Sequence, residues 1–310
     1  MKSRRKGEAR LNVVSIAEEP VEQLPYTAAA PGSRGVIYGY LPVYFGGMLG
    51  LPDEVDALIL ASDLQGVAGH LSADEMHSPR LIGEELPEML ALLLESYCPR
   101  CDPERIVVLL CGDLYGDPAQ RGSSGDPLPV WEAFRSHFGT VLGVAGNHDM
   151  VTAEGKARLA AAPGIDFYGE PRTAQHSGLN IAGLGGVTGR AGKPNRMSEE
   201  EYIGELQKLL RRNPDVLMLH QGPDVPAYGL PGHAGIRREL SAGPPLLLCC
   251  GHVHWDRPMA ELDNGTQVIN TDGRVLWCLP LRSWIKSKSL LFQAAFENST
   301  RAKLTSRSLP

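Results

Sequence analysis

The chain has 310 residues, 43% of them hydrophobic, which is enough to bury a substantial core in one large α/β domain, the reading favoured over two small ones. A net charge of -6 gives no general attraction to polyanions and speaks against a protein that coats DNA or RNA. No apolar run approaches the roughly 20 residues that span a bilayer. The basic start, Met1 to Arg10, is followed only by a short, weakly apolar run, Leu11 to Ala17, so neither a signal peptide nor a membrane anchor is expected.

In chain order, residues 1–34 are charged, then rich in Ala, Pro and Gly without periodicity, and are expected to be a flexible arm. The domain is expected to run over residues 35–298, with a C-terminal tail at 299–310. Five apolar, strand-like runs recur through it: Ala57 to Ala61, Ile106 to Cys111, Val141 to Ala145, Val216 to Leu219 and Leu246 to Cys250. Between them, helical periodicity predicts a helix from near Leu86 to Tyr97 with Pro87 in its first turn, one around Val130 to Phe138, and one from Thr152 to Ala162. A fourth starts at Ser198, where Glu201 completes a capping box, and runs along Tyr202, Ile203, Leu206, Leu209 and Leu210 until Asn213-Pro214 stops it. This alternation argues for βαβ units. Asp263-Asn264-Gly265 between Met259 to Leu262 and Thr266 to Ile269 is a hairpin signal, so the chain is expected to end in antiparallel strands, with one further strand at Leu290 to Phe296.

Three of the six cysteines, Cys98, Cys101, Cys111, Cys249, Cys250 and Cys278, sit in or beside apolar runs, where free thiols act as small hydrophobes; a reducing cytoplasm is the expected location. Cys98-Pro99-Arg100-Cys101 has the spacing of half a zinc site or of a redox pair. No second pair of Cys or His lies at a usual finger distance, which leaves a structural or incidental role.

Each of the five apolar runs ends on residues of metal-ligand type: Asp63-Leu64-Gln65, Gly112-Asp113, Gly146-Asn147-His148-Asp149, His220, and Gly251-His252-Val253-His254. Ligands at the ends of neighbouring strands can converge on one sheet edge. Cleaving a phosphoester at neutral pH needs charge neutralisation on the phosphoryl oxygens and a water acidic enough to act as hydroxide, and two divalent cations supply both. A pair of cations shares one ligand, for which a carboxylate is suited, and Asp113 is the candidate. Imidazoles and amide oxygens complete the shells of manganese, iron or zinc, which fits Asn147, His220, His252 and His254. Any one of these residues alone is more often a hydrogen-bonded structural residue than a ligand. The whole ordered set is what carries the reading.

These segments resemble the five signature motifs of the calcineurin-like metallophosphoesterase superfamily, over roughly residues 57 to 280. The resemblance implies a two-sheet β-sandwich flanked by helices. It further implies one cation held by Asp63, Asp113 and His254 and a second held by Asp113, Asn147, His220 and His252. His148 resembles the family's catalytic histidine, which holds the phosphate or protonates the leaving oxygen, with a carboxylate such as Asp149 orienting its ring. Two positions depart from the pattern. Gln65 stands where the family usually has His, and can still ligate, more weakly, through its carbonyl oxygen; Asp117 is displaced by one residue from an Asp that many members carry after the bridging carboxylate.

The other histidines, His70, His77, His137, His176 and His233, lack such context, although His70 and His77 follow the first motif and are candidates for the mouth of the site. The loop Gly185 to Arg196 carries Arg190, Lys193 and Arg196 among glycines, and is either a phosphate clamp or a solvated loop before the capped helix. The expected function is metal-dependent hydrolysis of a phosphodiester or phosphomonoester, with a small-molecule substrate. Leu219-His220-Gln221-Gly222-Pro223 looks like the His-Gly-Pro context of small phosphodiesterases in the superfamily. Nucleic acid enters only as a substrate and no membrane is involved. The alternative is a non-catalytic scaffold on the same fold with a degraded first metal site, which Gln65 would support.

Overall fold

Uninterrupted runs of Val, Ile and Leu have no polar face to offer water and must be buried on both sides. In the computed structural model, which describes residues 10–32, 35–71, 79–190 and 192–286, such runs form the centres of two stacked sheets. The strands are β1 (Asn12–Ile16), β2 (Glu22–Ala29), β3 (Val36–Leu49), β4 (Ala57–Ala61), β5 (Val67–Ala68), β6 (Ile106–Leu110), β7 (Thr140–Gly143), β8 (Ile165–Phe167) and β9 (Arg172–His176). They continue with β10 (Leu179–Leu184), β11 (Val187–Thr188), β12 (Arg196–Met197), β13 (Val216–Gln221), β14 (Leu247–Gly251), β15 (Met259–Glu261), β16 (Gln267–Asn270) and β17 (Val275–Pro280). The helices are α1 (Ile82–Tyr97), α2 (Leu128–His137), α3 (Ala153–Ala161), α4 (Glu199–Leu210) and α5 (Ala234–Ala242).

One sheet runs in the order β5-β2-β3-β17-β4-β6-β7-β8, with β1 also on β3, and the other in the order β15-β16-β14-β13-β10-β9. Within the first, β4, β6, β7 and β8 are parallel; within the second, β10, β13, β14 and β16 are. The parallel strands demand crossovers, which α1, α2 and α3 supply for the first sheet and α4 and α5 for the second. Leu58, Leu60, Val107, Leu109 and Leu142 meet Ile181, Val216, Met218, Leu247 and Ile269 between the sheets. The opposite face of the first sheet packs on Leu86, Leu90, Trp131 and Phe134, and that of the second on Tyr202, Leu206, Ile236 and Leu240. This is the α/β sandwich flanked by helices that was expected. No helix among the described residues is long and apolar enough to cross a membrane.

The flexible arm expected at 1–34 is corrected over its described part. β1 and β2 are both antiparallel partners of β3, and Leu11 and Val13 are buried between the sheets. Gln267 clamps β1 to the second sheet, its Oε1 accepting from Val13 N at 2.7 Å and its Nε2 donating to Val13 O at 3.0 Å. Two further readings shift. α1 begins at Ile82 rather than near Leu86, because the Glu84 carboxylate accepts from Leu81 N at 2.7 Å and closes the first turn early, leaving Pro87 inside the helix. The C-terminal strands are mixed: β15 and β16 form the expected antiparallel hairpin, but β17 is parallel to β3 and antiparallel to β4. The strand at Leu290 to Phe296, the tail and His77 lie outside the described residues.

Candidate metal centre

The C-terminal ends of β4, β6 and β7 in one sheet meet those of β13 and β14 in the other, so the five motif segments share one edge of the sandwich. Asp63, Asp113 and His252 each leave their strand with positive φ, 53°, 53° and 70°. Asp and His tolerate this left-handed region better than most residues, but at a cost that functional sites commonly carry. The turns are locked to one another: Asp63 N donates to Gly112 O at 2.9 Å, and His252 N donates to Asp63 Oδ2 at 3.0 Å. Gly146 and Gly251 are required where they stand, since a Cβ on either would collide with the Asp113 or Asp63 carboxylate.

Asp113 is the hub. Its Oδ1 accepts from His148 N at 2.8 Å; its Oδ2 accepts from Gln65 Nε2 at 3.0 Å and lies 3.4 Å from His220 Nε2. His220 is fully buried. Its Nδ1 donates to Cys111 O at 2.8 Å, which turns Nε2 toward Asp113 and toward Asn147 Oδ1, 3.3 Å away. The His220 and His252 rings stand 5.0 Å apart. One ligand atom from each of Asp113, His220 and His252 lies within 4.8 Å of the others, a spacing at which a single cation reaches all three. A donor set of carboxylates, imidazoles and an amide oxygen fits a mid-series divalent metal.

The electrostatics describe a site built for added positive charge. Desolvation raises the Asp63 carboxyl to about 7 against the pull of His220, with Asp272 and Asp113 pushing the same way as desolvation. Burial would raise Asp113 as well, but the His220 charge and hydrogen bond take it below the ordinary value. Burial alone would lower His220; the Asp113 carboxylate more than offsets this and brings it up to about 10. His252 falls to about 4 through burial and the His220 charge, so it stays a neutral imidazole. Without a cation His220 is therefore an imidazolium at neutral pH, whereas a ligating imidazole is neutral. Metal uptake is expected to expel the Nε2 proton and to tighten as pH rises through neutrality. Calorimetric manganese titrations in buffers of different ionisation enthalpy should give different heats at pH 7; equal heats would show that no proton leaves.

Asp149 is corrected. Its carboxylate does not orient the His148 ring but accepts three buried backbone N–H groups, from Asp113 at 2.8 Å, Leu114 at 2.9 Å and Gly146 at 2.8 Å. It holds the turns after β6 and β7 together, although burial and the Asp113 charge raise it to about 6. The His148 ring instead has Ser124, with Oγ 3.3 Å from Nδ1. Asp149→Ala leaves those donors unpaired and is expected to destabilise the fold by about 3 kcal/mol. A urea midpoint within error of wild type would contradict the latch.

The remaining predicted residues are placed less centrally. Gln65 shows Asp113 its amide nitrogen, acting as a donor rather than through the expected carbonyl oxygen. His254 is exposed, with Nδ1 3.6 Å from Asp272 Oδ2. Both line a cleft of about 350 Å³ with Asp63, Tyr115, Arg121, Tyr26 and Asp272. Arg190 and Lys193 are exposed and line no part of that cleft; Arg196 is nearer, since its charge helps to lower His252. Asp117 caps a local turn through Ala119 N at 2.8 Å. His70 lies on exposed Tyr38 and Tyr40, with ring centroids 5.3 and 4.9 Å away. The described cysteines are all free thiols, including Cys98 and Cys101. Sequence reasoning missed Ser124, Asp272 and Asn195, whose Nδ2 donates to Gly146 O at 2.9 Å and so ties the glycine-rich loop to the β7 turn. None of the three has a spacing signal.

Residues 39–256 match the family described as Calcineurin-like phosphoesterase. No curated protein matches the chain. Among solved structures, a Thermus thermophilus protein is 13% identical over 70% of this chain and 89% of its own, with a TM-score of 0.48. The 5'-nucleotidase from Candida albicans is 15% identical over 74% of this chain and 49% of its own, with a TM-score of 0.40. The Haemophilus influenzae NAD nucleotidase is 13% identical over 70% of this chain and 44% of its own, with a TM-score of 0.38. The chain thus spans about half the length of either nucleotidase.

Proposed function

The chain belongs to the calcineurin-like phosphoesterase family, and from that premise we propose that it hydrolyses a small phosphodiester or phosphomonoester at a dinuclear metal site. The observation that carries this reading is the convergence of buried Asp113 and His220 with His252 at the edge where the two sheets meet. Asp113, whose Oδ2 faces His220 and Gln65 while its Oδ1 accepts from His148 N, would be the bridging ligand. Asp63 and His254 belong to one cation, and Asn147, His220 and His252 to the other. Two bound cations would neutralise the phosphoryl oxygens and acidify a water.

The chain's own residues do the rest. Asp149 fixes the turns bearing Asp113 and Asn147. Cys111 O fixes which nitrogen of His220 faces inward. His148 lies beside this set, its backbone tied to Asp113 and its ring half-buried near Ser124, and its role would be to hold phosphate or to protonate the leaving oxygen. Arg196 adds positive charge on the His252 side. Manganese, iron and zinc all suit the donor set, and the free thiols fit a reducing, cytoplasmic setting.

The test couples metal analysis with a hydrolysis screen of bis-aryl phosphodiesters, phosphomonoesters, cyclic nucleotides and single-stranded nucleic acid. The expected result is turnover of a small ester that chelation abolishes and manganese restores. A protein that binds no metal and hydrolyses nothing would be a scaffold on this fold, the alternative that Gln65 supports.

A further inference from the structure

We propose that Asp272 is a ligand of the cation assigned to Asp63 and His254, standing in for the imidazole that Gln65 has replaced. This rests on the dinuclear reading above.

Gln65 leaves that half of the site one donor short. Its side-chain nitrogen is engaged with Asp113 Oδ2 at 3.0 Å, so the amide presents a hydrogen to the shared carboxylate. Asp272 sits on the turn between β16 and β17. Its Oδ2 lies 3.6 Å from His254 Nδ1, and its side chain lines the same cleft as Asp63, Gln65 and His254. Carboxylate oxygens suit a hard divalent ion.

The turn is tied to both of the segments that supply the other ligands. Asp272 forms an isolated parallel bridge with Ser62, the residue before Asp63, and Thr271 Oγ1 donates to Ser62 Oγ at 3.0 Å. On the other flank, Asn270 Oδ1 accepts from Asp272 N at 3.1 Å while its Nδ2 donates to Val253 O at 2.9 Å, between the two motif histidines. The Asp272 carboxylate is thus held in register with Asp63 and His254 by its own backbone, and its side chain is not needed to keep it there.

The experiment titrates manganese into the full chain after chelation, by calorimetry with elemental analysis, for wild type, Asp272→Asn, and Asp272→Asn combined with Gln65→His. Asn keeps shape and a hydrogen-bonding oxygen, so a residue that merely orients His254 would tolerate it. Wild type should bind two manganese ions. Asp272→Asn should keep its thermal midpoint and one ion, with affinity at the weaker site lower by about tenfold or more, and the double variant should recover the second ion. Unchanged binding in Asp272→Asn, loss of both ions together with the fold, failure of the double variant to recover, or fewer than two ions in wild type would each overturn the proposal. Hydrolysis is scored separately: manganese-dependent turnover with unchanged Asp272→Asn binding removes Asp272 alone. Loss of one ion in a wild-type-folded variant of a protein that hydrolyses nothing removes the phosphoesterase reading alone.

Discussion

Asp113→Asn is expected to abolish hydrolysis and to strip the protein of bound metal. Outer-shell partners of a metal typically account for 10–100-fold in affinity or activity, so loss of the proposed shared ligand should exceed about 100-fold. The geometry makes the substitution worse than the loss of one charge. Oδ1 accepts from His148 N, and Oδ2 accepts from Gln65 Nε2 beside His220. An amide has one oxygen, so either orientation turns an NH₂ against a donor and disturbs His148 or Gln65 as well as the cations. The fold should survive, because the Asp149 carboxylate that latches these turns takes main-chain donors and never uses the Asp113 side chain. Elemental analysis and turnover measured on one preparation decide the matter. Near-normal activity with two bound metals would take Asp113 out of the bridge and undo the ligand assignment on both sides of it.

The central strands and the order of the candidate ligands were legible because both depend on short-range pattern: an apolar run, then a sharp turn, then Asp, Asn or His. What the pattern does not carry is the partner across the fold. Asp149 sits in the most specific motif of the chain, so a role beside His148 was the natural reading, yet its oxygens are taken by N–H groups 3, 35 and 36 residues away in sequence. Asp272 lies in a turn whose only sequence signal is Asp-Gly, and its meaning comes from the bridge to Ser62 across the sheet. The strands within 12–29 escaped notice for a different reason. β2 is partly exposed over most of its length, so it shows little apolar alternation. Only Leu11 and Val13 reported the buried strand, and two residues are too few to establish a period.

His148→Ala is expected to lower turnover by about 100-fold, the lower end of the range for a positioned general acid, while leaving metal content close to wild type. The separation follows from where the residue is anchored. The link from His148 to Asp113 is made by its main-chain N–H, which alanine retains, and its ring nitrogen faces Ser124. The imidazole is therefore outside the proposed ligand set of Asp113, Asn147, His220 and His252, and its removal should not loosen bound cations. Its two candidate roles differ in what they demand of the substrate. Protonating the leaving oxygen matters most for an alkyl ester and little for an aryl ester whose leaving group is already stable, so the variant should be impaired more on the alkyl substrate. Holding the phosphate would cost both substrates equally and would raise KM along with lowering kcat/KM. Ser124→Ala gives an internal control: if the hydroxyl only steadies the ring, its loss should be several times milder than that of His148 and show the same dependence on leaving group. Loss of metal in step with activity in His148→Ala would instead make the ring part of the ligand set, and the division between cation-holding and substrate-facing residues would have to be redrawn.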